Sequence, residues 1–120
     1  KSAIDIPMDQ LETVKIANGD SLTINLKSEN DRKSYAKISI SLAVDKKNKG
    51  YKKGLEAITA NEDIIKNEII KIVTNYTIDD MRDGQKELQD EVLVSLRKLF
   101  DSDFIVSVAF PTYTYEESSN

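Results

Sequence analysis

QKELQDEVLVSLRKLFDSDFIVSVAF, residues 85–110, changes its hydrophobic period part-way along. Leu88, Val92, Leu96 and Leu99 recur at steps of three and four, whereas Phe104, Val106, Val108 and Phe110 alternate strictly. The first spacing lines one side of a helix and the second lines one face of a strand. The stretch therefore predicts a helix over Gln85–Phe100, a polar connection at Asp101-Ser102-Asp103 and a strand over Phe104–Phe110. Upstream, Ile58, Ile65, Ile69, Ile72 and Tyr76 follow the helical spacing too. They predict one bent helix that begins between Tyr51 and Leu55 and runs to about Asn75, with Asn61 as an alternative cap for a second segment from Glu62. Thr77 is placed to cap a single turn reaching Met81, where Asp79 and Asp80 suit the positive end of the helix dipole, and Gly84 breaks that turn.

The first half is strand-like. Leu22, Ile24 and Leu26 alternate with Thr23 and Asn25, and the run Tyr35–Val44 puts Ala36, Ile38, Ile40, Leu42 and Val44 on one side and Lys37, Ser39, Ser41 and Ala43 on the other. That is the pattern of a sheet with one buried face. Polar Ser28–Lys33 reads as a hairpin connection, and a short apolar patch at Leu11, Val14 and Ile16 ends in the turn residues Asn18-Gly19-Asp20. The expected fold class is α+β: an antiparallel-rich sheet of about three main strands with two long helices packed on one face. The expected organisation is a flexible lead-in at 1–10, one domain over 11–116 and an acidic tail at 117–120. The chain opens at Lys1 rather than at methionine, so an upstream segment, a membrane anchor included, is expected.

Composition excludes more chemistry than it suggests. A length of 120 residues suits one domain with one core, and 39% hydrophobic with 32% charged residues suits a soluble globular chain,. With no histidine and no cysteine, the usual zinc, haem and iron-sulfur ligand sets and the Ser-His and Cys-His nucleophile pairs cannot be assembled within the chain,. No cofactor is expected. A net charge of −4 gives no basic footprint for nucleic acid,. Lys46, Lys47, Lys49, Lys52 and Lys53 form a local basic run that reads either as a solvated loop and first helical turn or as a contact with anionic lipid headgroups. No stretch approaches the roughly 20 apolar residues of a membrane span.

Candidate sites are sparse. Asp79, Asp83, Gly84 and Asp90 fall on a calcium-loop spacing, but Met81 stands where an oxygen ligand is required, so a helix N-cap cluster accounts for the acids better,. The pairs Glu62 with Asp63, Glu87 with Glu91 and Glu116 with Glu117 lie outside the apolar stripes and read as solvated,. Gly19, Gly50, Gly54 and Gly84 are scattered singly, so there is no phosphate loop, and Asn75-Tyr76-Thr77 matches a glycosylation triplet by pattern only,. The remaining feature is a row of small residues on the non-core side of the two long strands: Ser39, Ser41 and Ala43 on one, Ser107 and Ala109 on the other, with Ile105 as the one large member. Small side chains leave the backbone open to close approach, and these six residues are the candidate protein interface; a merely solvated face is the alternative.

The run Leu22-Thr23-Ile24-Asn25-Leu26, the strand from Tyr35 to Leu42, the helix Asp63 to Ile72, the break from Thr77 to Gly84, the Leu88 helix and the closing Val106-Ser107-Val108-Ala109-Phe110 together resemble the extracytoplasmic domain of the flagellar basal-body protein family FliL. The resemblance covers about residues 20–116. Arg97, where the family tends to show Asn, Glu116, where a Gln is frequent, and the lack of a proline near Ala60 depart from it. The resemblance implies a single-span membrane protein whose outer domain is similar to the stomatin-type scaffold domain and has no enzymatic activity. It further implies rings of the protein itself and association with the stator units that drive rotation, with no small-molecule substrate. A generic extracytoplasmic module that binds a ligand or the cell wall is the second expectation, and a carboxylate-dependent enzyme would need an acid on the core side.

Overall fold

The computed structural model describes residues 6–28 and 31–118. Residues 1–5 of the expected lead-in and 119–120 of the tail, with Glu29 and Asn30 of the predicted hairpin connection, lie outside the described residues. Met8–Gln10 form a 3-10 turn, and the last strand reaches Glu117, into the span expected as tail.

Three extended runs, each interrupted near its middle, make the sheet. The first holds β1 (Leu11–Lys15) and β2 (Leu22–Asn25), the second β3 (Ser34–Ile38) and β4 (Ser41–Asp45), the third β5 (Ile105–Ala109) and β6 (Tyr113–Glu117). β4 lies between β1 and β5, β3 lies between β2 and β6, and every pairing is antiparallel. Two three-stranded half-sheets therefore share a central run. The predicted single strand Tyr35–Val44 is thus corrected to two strands, divided at Ser39-Ile40. Hydrophobic alternation does not register the division, because Ala36, Ile38, Ile40, Leu42 and Val44 are all buried on either side of it.

Hydrogen bonds across the division explain its position. The Ser39 N–H donates to Thr112 O at 3.0 Å, the Ser39 hydroxyl accepts from the Thr112 N–H at 2.9 Å, and the Ile16 N–H donates to Ile40 O at 3.0 Å. The first run breaks beside it in the turn Ile16–Gly19, where Ala17, Asn18 and Gly19 all have positive φ. Asn and Gly adopt that region readily, and Ala17 does so under strain. Its N–H is held by Glu62 Oε2 at 3.0 Å.

Four helices cover the core face. α1 (Tyr51–Ala60) and α2 (Glu62–Val73) replace the predicted continuous helix. Asn61, at φ −123° and ψ 30°, interrupts it, and its side-chain amide donates back to Ala57 O at 2.9 Å instead of capping α2. α3 (Ile78–Asp83) is longer than the single turn expected. Thr77 is its N-cap: the side chain accepts from Asp80 N–H at 3.1 Å while Asp80 accepts from Thr77 N–H at 3.0 Å, a reciprocal cap,. α4 (Gln85–Phe100) presents Leu88, Val92 and Leu96 to the core, and Ile58, Ile65, Ile69 and Ile72 meet them from α1 and α2. Leu99 is the exception among the predicted stripe residues at 43% exposure. Phe100, one full turn beyond Leu96, takes the inward place and meets Phe104 edge-on at 5.6 Å,.

Phe104 is fully buried against α1, and a Cβ on Gly54 would lie 2.4 Å from its ring. An added methyl costs about 1–3 kcal/mol where it overpacks a core, against a helix-propensity gain of about 1 kcal/mol over glycine. A contact this short on a fully buried ring places Gly54 at the upper end of that range. Gly54→Ala is therefore expected to lower the urea midpoint of unfolding, whereas Lys53→Ala beside it leaves the midpoint within error.

Candidate interaction surfaces

The face of the sheet away from the helices carries four of the six predicted interface residues together. In register, Ser41 stands between Lys15 and Ala109, and Ala43 stands between Thr13 and Ser107. Ser41, Ala43 and Ser107 are half-buried, and Ala109, Thr13 and Lys15 are exposed. The strip is built of side chains too short to cover the backbone. Ser39 and Ile105 do not join it. Ser39 is 2% exposed because both its backbone and its hydroxyl bind Thr112, and Ile105 is fully buried. A register shift between Ala43 and Val44 sets Ile105 opposite Val44, leaves Val106 without a partner and turns Ile105 into the core,.

Strand edges form a second surface that periodicity does not reveal. Two are covered by helices. Thr74 Oγ1 at the end of α2 donates to Asn25 O at 2.9 Å and Lys27 N–H donates to Tyr76 O at 2.9 Å, closing the edge of β2. On α4, Gln89 Nε2 donates to Val108 O at 3.0 Å and Arg97 Nε to Ile105 O at 2.9 Å, closing the edge of β5. Arg97, a departure from the family pattern, thus has a structural task here. Among the described residues no side chain or backbone group of α1–α4 bonds to the backbone edge of β1 or β6, although α3 packs against β6. The bonds Lys46 N to Gln10 O and Ile16 N to Ile40 O flank the β1–β4 ladder, so Glu12 and Val14 face β4 while Thr13 and Lys15 turn their backbone groups outward and Leu11 its carbonyl, its N–H being bonded to Met8 O,. By the same count Thr114 and Glu116 face β3, and Tyr113, Tyr115 and Glu117 turn outward.

The basic run lies where the chain joins the sheet, since Lys46 N–H bonds Gln10 O. Its five lysines are exposed, and among the described residues none is in an ion pair. Acids are interspersed. Asp45 accepts from Gln10 at 2.9 Å, and Asp103 is held below the usual carboxylate range chiefly by its hydrogen bond from Asn48. The acids of the calcium-like spacing are engaged with cations: Asp79 and Asp83 with Arg82, Asp90 with Lys86.

Between α2 and α4 runs an open trough of about 580 Å³, lined by Glu68, Ile72, Glu91, Val94, Ser95 and Lys98 among others. Ser95 Oγ donates to Glu68 Oε2 at 2.5 Å, and this bond is the main reason the Glu68 carboxyl lies below its ordinary value; Lys71 at 3.3 Å adds to it. Across the molecule Tyr113, half-buried, donates to Met81 O at 2.6 Å, and burial pushes its hydroxyl up to about 12. These are structural anchors. Among the described residues no three carboxylates converge as metal ligands.

The family model for the flagellar basal body-associated protein FliL matches residues 16–115. The chain belongs to the FliL family. A comparison with curated proteins returns no match. The matched span takes in all four helices and the strands β2 to β5 whole, with most of β6, so family and fold coincide over nearly the whole described FliL domain. FliL membership associates the chain with the flagellar basal body and with motility. No helix among the described residues is long and apolar enough to cross a membrane.

Because Glu68 is held low in the folded state, its contribution to stability is complete above the ordinary glutamate range and is lost as pH falls through its native value,. Ser95→Ala should move Glu68 upward and bring acid unfolding on at higher pH. A carboxyl-carbon NMR titration checks this, and an unmoved Glu68 would assign the shift to Lys71 instead.

Proposed function

We propose that this chain is a non-enzymatic scaffold of the flagellar motor, tethered to the cell membrane by a single span upstream of Lys1 and lying on the extracytoplasmic side. It associates with copies of itself and supports the stator units. Membership of the FliL family over residues 16–115 carries this reading. The resemblance to the stomatin-type scaffold domain supports the self-association. The strip of Ser41, Ala43, Ser107 and Ala109 suits a contact with a neighbouring copy or a motor component, since its short side chains let another surface come close. Tethering multiplies weak contacts: copies confined to one plane meet at high effective concentration, so a modest interface suffices.

The second expectation, a ligand- or cell-wall-binding module, has less support. The trough between α2 and α4 is open to solvent, whereas small-molecule sites enclose most of their ligand's surface,.

Deleting the gene in its flagellated host is expected to reduce swimming and torque while growth is unchanged; intact motility would overturn the proposal. Within the protein, Ala43→Arg with Ser107→Arg places two long charged side chains on the strip at positions where nothing internal is displaced. The variant should keep its unfolding midpoint and lose association with the motor, scored by localisation of a fluorescent fusion. Retained localisation would remove the strip from the interface.

A further inference from the structure

Resting on the reading that copies of this chain associate, we propose that they do so head to tail through the strand edges the helices leave open, β6 of one copy adding in parallel beside β1 of the next. Two half-sheets have four edges, and helix side chains or backbone close those of β2 and β5. An uncovered edge is a template for another strand, and most proteins blunt it. Here the blunting is selective.

Direction and face both fit. The first and third runs are each antiparallel to the central run, so β1 and β6 point the same way on opposite sides of the sheet. In a parallel ladder a residue bonds to the two neighbours of the residue opposite it. The outward groups of Tyr113 and Tyr115 then fall between those of Leu11, Thr13 and Lys15. That sets Tyr113 opposite Glu12, Thr114 opposite Thr13, Tyr115 opposite Val14 and Glu116 opposite Lys15. Tyr113, Tyr115 and Val14 all pack toward the core, and Thr13, Lys15, Thr114 and Glu116 are all exposed. Core face meets core face, outer face meets outer face, and the outer pair at the end is an ammonium against a carboxylate. Neither Lys15 nor Glu116 has an ion-pair partner among the described residues.

The open edges are also diagonal, one in each half-sheet, so each copy is displaced along the strands by about 15–20 Å, the length of a five-residue strand. A contact joining two different surfaces cannot stop at a dimer. It closes into a ring when the strands tilt to the ring axis, as they do in a barrel, and otherwise runs on as a filament.

The chain has no cysteine, so a designed pair reports the register directly. Opposite residues of neighbouring strands sit about 5 Å apart, within disulfide reach. Thr13→Cys combined with Thr114→Cys, in the chain tethered through its N-terminus to lipid vesicles, should give under mild oxidation a ladder of covalent multimers on a non-reducing gel. The two single variants mixed should give dimers, and each alone should stay monomeric. Dimers from Thr13→Cys alone would replace the head-to-tail contact by a two-fold one and overturn the proposal. An amine-reactive cross-linker read in parallel separates the two levels. Multimers with the cross-linker but no disulfide ladder would sink the edge contact and leave self-association standing; no multimers by either would sink both. As an independent check without cysteine, Lys15→Glu and Glu116→Lys should each weaken assembly about two- to five-fold per contact, and the two together should restore it. No restoration would overturn the register.

Discussion

The hydrogen bonds around Ser39 and Ile40 are the constraint on which the rest of the molecule depends. Ser39 binds Thr112 twice and Ile40 binds Ile16, so the three runs are interrupted at the same level and stay joined across the interruption. Without that stitching, each half-sheet would be a short three-stranded layer with its own small core. With it, the two inner faces form one surface long enough for α2 and α4 to lie against, in a molecule 49 Å along its longest axis. A serine suits this position. Its hydroxyl supplies a second acceptor for the returning strand at a place where the ladder itself has none, and its burial is tolerable because both polar groups are bonded,.

The same helices that fill the core also decide which parts of the backbone remain available. α2 ends at β2, so that Thr74 and Tyr76 reach its edge, and α4 runs along β5, so that Gln89 and Arg97 reach carbonyl groups there. The side chains of Thr74, Gln89 and Arg97 lie one or two positions away from the apolar stripe on their helices, and Tyr76 acts through its backbone carbonyl. A single orientation of each helix therefore buries its leucines or isoleucines and closes one strand edge. Among the described residues neither helix bonds to the edge of β1 or β6, and β6 is packed instead by α3. Protection is consequently diagonal, which follows from where the helices end.

How much of this is legible without coordinates depends on the range of the interaction. Helical stripes, the Thr77 cap and the closing strand depend on neighbours within a turn or two, and their residues announce them. The departures have longer reach. Alternation from Tyr35 to Val44 is unbroken in the sequence because both halves bury the same side, and only Thr112, far along the chain, tells Ser39 apart from the half-buried Ser41. Ile105 looks outward by count and is turned inward by a bulge whose existence depends on the register with β4. Leu99 continues the stripe on paper, yet Phe100 takes the place against Phe104. Arg97 reads as a surface cation, and its guanidinium closes a strand edge. The candidate strip was accordingly legible in its four small residues and misread at its two ends, both of which are set by contacts distant in sequence.

The distribution of charge bears on what these surfaces can do. A carboxylate becomes a general acid when burial raises its pKa, and here the resolved carboxylate shifts run the other way, since Glu68 and Asp103 are held low by neighbouring donors,. Groups kept ionised at the surface steer and orient partners, while their contribution to affinity is modest because water and salt screen them. A partly exposed strip of Ser and Ala, for its part, offers little apolar area to bury. Each contact such a molecule makes is weak alone. In the arrangement proposed above, confinement of many copies to one plane would change the arithmetic, because after the first contact the others become nearly intramolecular. On that proposal the strength of the assembly comes from number and geometry.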